Sequence, residues 1–162
     1  RASMLGFQEE DEGQYQEVLE LDRLTGACML VKSDVFKEVG LIPEEYFLYF
    51  EEADFCMRAS KAGYKMIYVP SSVVYHEGSA TMKNDSALKR YYFNRARLRF
   101  VFNGARLKDK VYFGFYYLFS NTKRNVMLLL KGKWTLVIGS TVGVIDYFKG
   151  AKKEAPQWIS KL

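Results

Sequence analysis

Residues Phe47–Arg58 read Phe-Leu-Tyr-Phe-Glu-Glu-Ala-Asp-Phe-Cys-Met-Arg, and this stretch decides how the rest of the chain is interpreted. A run of aromatic residues leads into two adjacent carboxylates, Glu51 and Glu52, and a third follows at Asp54. Asp54 and Arg58 are four residues apart, so they can pair on one face of a helix. The pattern therefore predicts a helix that begins at Glu51. The residues expected to face inward on it are Ala53, Cys56, Met57 and Ser60.

The position of the two glutamates suggests a chemical role. The first turn of a helix favours negative charge, because its backbone N–H groups are unpaired and the helix dipole is positive there. Glu51 and Glu52 are therefore expected to be ionised at neutral pH and to point out of the helix end. Such a carboxylate suits a general base that takes a proton from a hydroxyl group. Ordinary helix capping is the commoner reason for an acidic first turn, so this stretch alone does not establish a base.

The sequence around this stretch predicts short strands and helices. Arg23–Lys32 predicts a turn at Thr25-Gly26 followed by a buried strand. Ser33 is expected to cap a short helix that runs to about Val39 and that Gly40 ends. The helix from Glu51 is expected to stop before Gly63. Two short strands, a mobile polar loop and an amphipathic helix are predicted at Lys65–Val69, Ser72–His76, Ser79–Ser86 and Ala87–Phe102.

Charge divides the chain of 162 residues, which has a net charge of +5, into two parts. Residues 1–100 hold 13 basic and 16 acidic residues, a net of −3, and residues 101–162 hold 11 and 3, a net of +8. The shift near Asn103-Gly104 predicts an acidic front module and a basic, aromatic tail. Cys28 and Cys56 lack metal-type spacing and are expected to be buried free thiols. A single histidine excludes a zinc site built from cysteine and histidine.

Several segments, in order and with matching spacing, resemble the second half of a family 2 glycosyltransferase, nearest to the bacterial rhamnosyltransferase-like enzymes that build polysaccharides. These segments are Thr25-Gly26-Ala27, Glu38–Leu41, Glu45–Arg58, Ala62-Gly63-Tyr64, Tyr68-Val69-Pro70 and Val74-Tyr75-His76. The resemblance covers Asp22–Phe100. It divides the chain into a polar leader or fragment edge (1–21), the acceptor-side half of a catalytic domain (22–103) and a helical tail (104–162).

The resemblance implies an α/β fold: a partial GT-A domain, with a mostly parallel nucleotide-sugar-binding sheet, followed by the basic aromatic helical tail. It also implies inverting transfer of a sugar from a nucleotide-diphosphate donor to a hydroxyl acceptor, in polysaccharide or cell-envelope glycan synthesis. The second acidic residue of the family's pair deprotonates the acceptor, and that position is Glu52, where the family usually has aspartate. Glu51 and Asp54 remain competitors for the role.

The resemblance also implies binding residues. Thr25 and Gly26 would lie close to the sugar, although a plain turn explains the glycine nearly as well. His76 would lie near the diphosphate and its metal, whereas a lone histidine is more often a hydrogen-bonded core or surface residue. Mg²⁺ or Mn²⁺ is the implied cofactor, with its main ligands in an Asp-x-Asp motif that this chain lacks.

Two arginines complete the expected site. Arg58 is expected to pair with Asp54 and to support the helix, and it counts among the substrate-binding candidates. Arg95 matches the arginine of an Arg-Asn pair in the family, so the resemblance implies contact with substrate. Ala96 stands where the family has asparagine, which puts the role of that pair in doubt.

The missing motifs predict a fragment. The chain begins at Arg1 and has neither an Asp-x-Asp motif nor a glycine-rich phosphate loop,. We therefore expect half of an enzyme, inactive by itself. The alternative is a non-catalytic module that binds or assembles glycan or membrane and keeps the glycosyltransferase shape.

The tail holds three apolar aromatic runs, Val111–Phe119, Val126–Leu130 and Trp134–Phe148, each too short to span a bilayer. Basic residues beside aromatic ones are typical of helices in a membrane interface. Helices that pack on the catalytic module with a basic outer face explain the composition equally well. The expected partners are a sugar donor, a glycan or lipid-linked acceptor and a membrane surface, with no nucleic acid, and an uncovered sheet edge would invite a homodimer. The expected location is cytoplasmic, peripheral at the inner face of the cell membrane.

Overall fold

The structure, a computed structural model of the chain, describes residues 6, 9–76 and 86–162. The described part is mostly helical. Its five α-helices are α1 (Ser33–Val39), α2 (Glu51–Lys61), α3 (Ala87–Gly104), α4 (Leu107–Leu130) and α5 (Trp134–Phe148). Its two strands are β1 (Leu19–Leu21) and β2 (Met66–Tyr68), and 3₁₀ helices lie at Glu44–Tyr46 and Gln157–Lys161. The predicted loop Ser79–Ser86 lies outside the described residues except for Ser86.

The sheet differs from the expected one. β2 confirms the strand predicted at Lys65–Val69, and β1 lies inside the segment predicted as a polar leader. The two strands pair antiparallel, with Leu19 opposite Tyr68 and Leu21 opposite Met66. Among the described residues these are the only strands, so the mostly parallel sheet that the resemblance implies is not observed there.

The strand predictions after Thr25-Gly26 and at Ser72–His76 were wrong, because both segments are irregular and largely exposed. Leu30, for example, is 100% exposed. A buried strand needs hydrogen-bonding partners along its edges and a layer that covers it. Neither is present for these segments among the described residues. Cys28 is exposed as well, whereas Cys56 is buried as predicted.

Helices α1 and α2 follow local signals. α2 begins at Glu51 and ends two residues before Gly63, which confirms the prediction. α1 ends at Val39, and Gly40 follows as the capping residue with a φ of 81°, which suits glycine,. Its cap differs from the expected one, because Ser33 is the first helical residue and the capping position, Lys32, makes no side-chain bond. The two helices meet through Val35, Phe55 and Ala59, so α2 buries Phe55 and Ala59 rather than Ser60, which is exposed.

α3 is the central element of the fold. Ser86 caps it by accepting a hydrogen bond from the backbone N–H of Lys89 (3.2 Å), and it extends two residues beyond the predicted end at Phe102. The prediction of an amphipathic helix was wrong, since polar side chains are buried on it together with apolar ones. The buried polar residues are Asn94, Arg95 and Arg99. α3 is therefore enclosed by other elements rather than lying on the surface.

α5 packs closely along α3. A methyl group on Gly139 would overlap the carbonyl oxygen of Ala87, and one on Gly143 would overlap that of Tyr91. Only glycine lets two helix backbones approach this closely. The contact therefore depends on these two residues.

The tail forms two long helices. The runs predicted at Val111–Phe119 and Val126–Leu130 belong to the single helix α4, and α5 has the predicted limits. Gly132, with φ of 68°, lies in the turn between them. No helix in the described ranges is long and apolar enough to cross a membrane.

Candidate active site

The backbone just before α2 has an unusual conformation. Phe47, Tyr49 and Phe50 have φ values of 64°, 68° and 69°, in the left-handed region. Bulky residues rarely adopt it, at a cost of about 1–2 kcal/mol each, and they do so mainly where surrounding packing enforces it. Here α3 provides that packing: the Phe47 ring stacks on Tyr92 at 5.1 Å, and the Phe50 ring lies 5.4 Å from Phe93. Such residues concentrate at active sites.

The strained aromatic segment leads directly to Glu51. This side chain is half-buried, and its Oε2 atom has no hydrogen-bond partner among the described residues. Burial raises the pKa of the Glu51 carboxyl, and the charge of Glu52 adds to the increase, while a hydrogen bond from its own backbone N–H opposes it. The expectation that the helix end keeps this carboxylate ionised is thus opposed by its burial.

Glu52 lies beside the predicted turn. A methyl group on Gly26 would be 3.5 Å from Glu52 Cβ, which is ordinary van der Waals contact. The backbone N–H of Ala27 donates to Thr25 Oγ1 at 3.5 Å and so closes the turn. Three residues that the sequence suggested for one site, Thr25, Gly26 and Glu52, are therefore neighbours in space.

Asp54 is engaged in a network instead of being available. The Tyr46 hydroxyl donates to its Oδ2 atom at 2.9 Å, and Arg58 Nε donates to its Oδ1 atom at 2.8 Å. The ion pair of Asp54 and Arg58 confirms the prediction from their spacing. Arg58 also donates to the carbonyl oxygens of Val39 and Leu41. Both side chains thus fix α2 to its neighbours, and burial together with the Asp54 charge raises the pKa of Tyr46.

Arg95 does not reach the surface. Its side chain is completely buried, and it donates to the Tyr91 hydroxyl at 3.0 Å and to the carbonyl oxygens of Tyr46 (3.3 Å) and Lys153 (2.6 Å). The guanidinium also lies over the Tyr91 and Tyr92 rings. This arrangement supports a role in holding the site together and offers no direct contact with a dissolved substrate.

Arg99 is a residue that the sequence analysis did not select. It is buried one turn after Arg95, and it donates to the carbonyl oxygens of Glu45 and Ala151, the latter at 2.5 Å. Burial lowers the pKa of Arg99. The signal that could have found it is the four-residue spacing of two arginines on a helix that is otherwise rich in aromatic residues.

The two arginines join the loop before α2 to residues 151–159, which we call the C-terminal strap. The strap is also held by the backbone N–H of Ala155, which donates to the Tyr92 hydroxyl at 2.7 Å, and by the buried side chain of Ile159. Ile159 packs with Tyr91 and Tyr92, and Tyr49 contacts the same cluster. The loop and the strap thus share one support on α3.

His76 is exposed and is the last residue described before residues 77–85. Among the described residues no group of three histidine, cysteine, aspartate or glutamate side chains could hold a metal ion. The described residues therefore do not fit the Mg²⁺ or Mn²⁺ that the resemblance implies.

Comparisons with known proteins agree with the sequence patterns. The sequence model of the glycosyltransferase-like family 2 matches residues 12–98, more than half of the chain. The chain is 41% identical over 64 residues to N-acetylglucosaminyl-diphospho-decaprenol L-rhamnosyltransferase of Mycobacterium tuberculosis. The aligned residues cover 40% of this chain and 21% of that protein. Rhamnosyltransferase WbbL of Escherichia coli K12 is 38% identical over 56 residues, 35% of this chain and 21% of the relative.

A further relative is the low-salt glycan biosynthesis hexosyltransferase Agl10 of Haloferax volcanii, 39% identical over 41 residues, which cover 25% of this chain and 13% of the relative. The chain thus spans about one fifth or less of the length of the curated relatives named here. No solved structure gives a significant match.

Proposed function

Because the chain belongs to the glycosyltransferase-like family 2, we propose that it is the acceptor-side part of a GT-A catalytic domain. In this proposal the domain transfers a sugar, with inversion, from a nucleotide-diphosphate donor to a hydroxyl acceptor in polysaccharide or cell-envelope glycan synthesis. The relatives with printed activities are rhamnosyl- and hexosyltransferases, which supports sugar transfer. The observation that carries the proposal is the position of Glu52 beside the Thr25-Gly26 turn, at the start of α2.

Glu52 is the proposed general base. Its carboxylate takes the proton of the acceptor hydroxyl as that oxygen forms a bond to the anomeric carbon, while the bond from that carbon to the diphosphate oxygen breaks. The diphosphate leaves with the electron pair, and attack from the opposite side inverts the configuration. Asp54 is bonded through both oxygens, and the Oε2 atom of Glu51 is buried. Neither constraint is observed for Glu52, so it has the fewest other commitments of the three.

Glu51 is the alternative base. A general base works best when its pKa lies near the working pH, and burial moves the pKa of Glu51 in that direction. Its Oε2 atom is buried without a hydrogen-bond partner among the described residues, so an acceptor hydroxyl that reached it could donate to it without breaking another bond. Substitution of each glutamate separately distinguishes the two.

The test uses a protein that carries this chain together with the preceding half of a family 2 catalytic domain. Glu52→Gln and Glu51→Gln are compared with Glu44→Gln, an exposed glutamate in the adjacent 3₁₀ helix. Loss of a general base lowers the rate about 10²–10⁴-fold, and we expect this loss for Glu52→Gln. Full activity of that variant would refute its role, and turnover by the 162-residue chain alone would refute the fragment interpretation.

The second candidate is a non-catalytic module that binds glycan or membrane. It is favoured by Glu52, where the family usually has aspartate, and by Ala96, where the family has asparagine. Glycan binding without turnover in the longer protein would support it. Any Mg²⁺ or Mn²⁺ would then be dispensable.

The remaining partners and the location follow from the proposed reaction. A lipid-linked acceptor would place the protein at the cytoplasmic face of the cell membrane as a peripheral protein. His76 is a proposed neighbour of the donor diphosphate, and the main metal ligands would come from outside the described residues. A homodimer is the further proposed partner, and sedimentation velocity would detect it.

A further inference from the structure

The outward face of α4 is apolar and uncovered. Large side chains on it are at least half exposed over two turns of helix, and Phe115 is 73% exposed. The full set in this stretch is Val111, Tyr112, Phe115, Tyr116, Leu118 and Phe119. Monomeric soluble proteins rarely expose a continuous apolar patch of this kind without a partner. This face is called the α4 apolar face below.

The opposite side of α4 packs against α3. Tyr117 is buried, and its hydroxyl donates to Asn94 Oδ1 at 2.7 Å. Phe113 packs edge-on against Phe102 of α3 at 6.2 Å, and Arg97 lies over the Phe113 ring. The seam to α3 therefore uses residues other than those of the α4 apolar face. The apolar face is available for a different contact.

Positive charge borders the α4 apolar face at both ends. No charged residue occurs between Lys110 and Lys123, a distance of about 20 Å along the helix at 1.5 Å per residue,. The cations before and after this stretch are Arg106, Lys108, Lys110, Lys123, Arg124, Lys131 and Lys133, and Asp109 is the single acidic residue. Residues 106–133 thus carry a net charge of +6. Trp134, 63% exposed, follows directly.

We propose that the α4 apolar face lies in the interface of a membrane that contains anionic phospholipid. In this position the aromatic rings enter the boundary between head groups and acyl chains, and the lysines extend to the lipid phosphates. The charge complements an anionic surface. The helix lies in the plane of the membrane and does not cross it.

A second copy of the chain fits this face less well. A symmetric dimer places the same patch of both copies together, so the basic ends of one α4 would face those of the other. A lipid surface that contains anionic phospholipid instead supplies the opposite charge to both basic ends. The membrane proposal does not depend on sugar transfer, so either can fail without the other.

The first experiment measures binding of the 162-residue chain to vesicles by sedimentation. Vesicles of phosphatidylcholine alone are compared with vesicles that contain one quarter phosphatidylglycerol, in 50 mM and 500 mM NaCl. We expect binding to the anionic vesicles at low salt and a marked loss at high salt. No binding to anionic vesicles at low salt would overturn the proposal.

Variants locate the contact. Phe115→Asp is expected to weaken binding more than tenfold, because it places a charge in the apolar boundary. Lys108→Gln and Lys123→Gln are each expected to weaken it about fivefold. Tyr75→Asp is the matched control for the aromatic residue, since Tyr75 is 98% exposed outside α4. Lys37→Gln in α1 is the control for the lysines.

Circular dichroism shows whether each variant folds. For the case in which Phe115→Asp does not fold, fluorescence quenching measures directly whether this face contacts lipid. In Phe115→Trp, made in a chain whose Trp134 and Trp158 are replaced by phenylalanine, the single indole is expected to be quenched by bromine on the lipid acyl chains. Absence of quenching on vesicles that bind the protein would overturn the placement of this face. Sedimentation velocity adds the remaining outcome: if Phe115→Asp dissolves a dimer but leaves vesicle binding unchanged, the face is a protein interface and the proposal is wrong.

Discussion

Substitution of Gly143 by alanine tests whether the close contact of α3 and α5 determines the fold. The added methyl group would overlap the carbonyl oxygen of Tyr91. A backbone oxygen cannot move away by changing rotamer, so the two helices must separate. Overpacking of this kind costs typically about 1–3 kcal/mol, occasionally more. Because the overlap is with a backbone atom, we take the upper end of this range, about 3 kcal/mol,. Alanine in a helix gains about 1 kcal/mol over glycine, so the expected net loss is about 2 kcal/mol.

Gly114→Ala is the matched control. Gly114 also lies inside a helix, α4, and no described atom lies within 4 Å of the position of an added methyl group. There the helix propensity acts alone, so this variant is expected to gain about 1 kcal/mol. The same substitution thus has opposite signs at the two sites.

Thermal unfolding followed by circular dichroism measures both effects. For a chain of this size 1 kcal/mol corresponds to about 2–4 °C in Tm. We expect Gly143→Ala to lower Tm by about 4–8 °C and Gly114→Ala to raise it by about 2–4 °C. An equal increase in both variants would refute the reasoning, because it would show that α3 and α5 do not touch at Gly143.

Three further predictions concern the loop before α2 and its supports. Burial raises the pKa of Glu51 above its ordinary value of 4.5, so the native state keeps this proton to a higher pH than the unfolded state does. The free energy of unfolding should therefore fall as the pH rises from the unfolded-state pKa through the native-state pKa. Urea unfolding at a series of pH values should show a smaller fall in this free energy for Glu51→Gln. Arg99→Gln should cost about 2–3 kcal/mol and speed hydrogen exchange in the C-terminal strap, whereas Arg97→Gln should leave that exchange unchanged. Asp54→Ala should cost about 1–3 kcal/mol by leaving the buried Tyr46 hydroxyl without its partner,. The exposed Asp34→Ala should cost less than about 1 kcal/mol, and both values are measured from urea midpoints.

Local patterns were enough to predict several helices and one contact. α2 and α5 have the limits that the sequence predicts, because acidic residues, glycine and apolar spacing act within a few residues. The pair of Asp54 and Arg58 follows from its spacing. The sheet could not be predicted in the same way, since a strand such as the one expected at Ser72–His76 depends on partners that lie far away in the sequence.

The candidate active site, like the sheet, depends on contacts between residues that lie far apart in the sequence. The left-handed conformation of Phe47, Tyr49 and Phe50 has no signal in residue type, because glycine or asparagine is usual there,. The raised pKa of Glu51 results from burial, which opposes the effect expected from the helix end. The buried position of Arg95 likewise depends on the C-terminal strap, which no local pattern connects to it.

The arrangement of the strap has a consequence for biosynthesis. The carbonyl groups that the two arginines hold belong to Glu45 and Tyr46 on one side and to Ala151 and Lys153 on the other. Glu45 leaves the ribosome 106 residues before Ala151. At about 5–20 residues per second, this interval is about 5–20 s. During that time the strap is not yet available to the two arginines. The nascent chain therefore acquires its candidate base in the final geometry only after the strap has also left the ribosome.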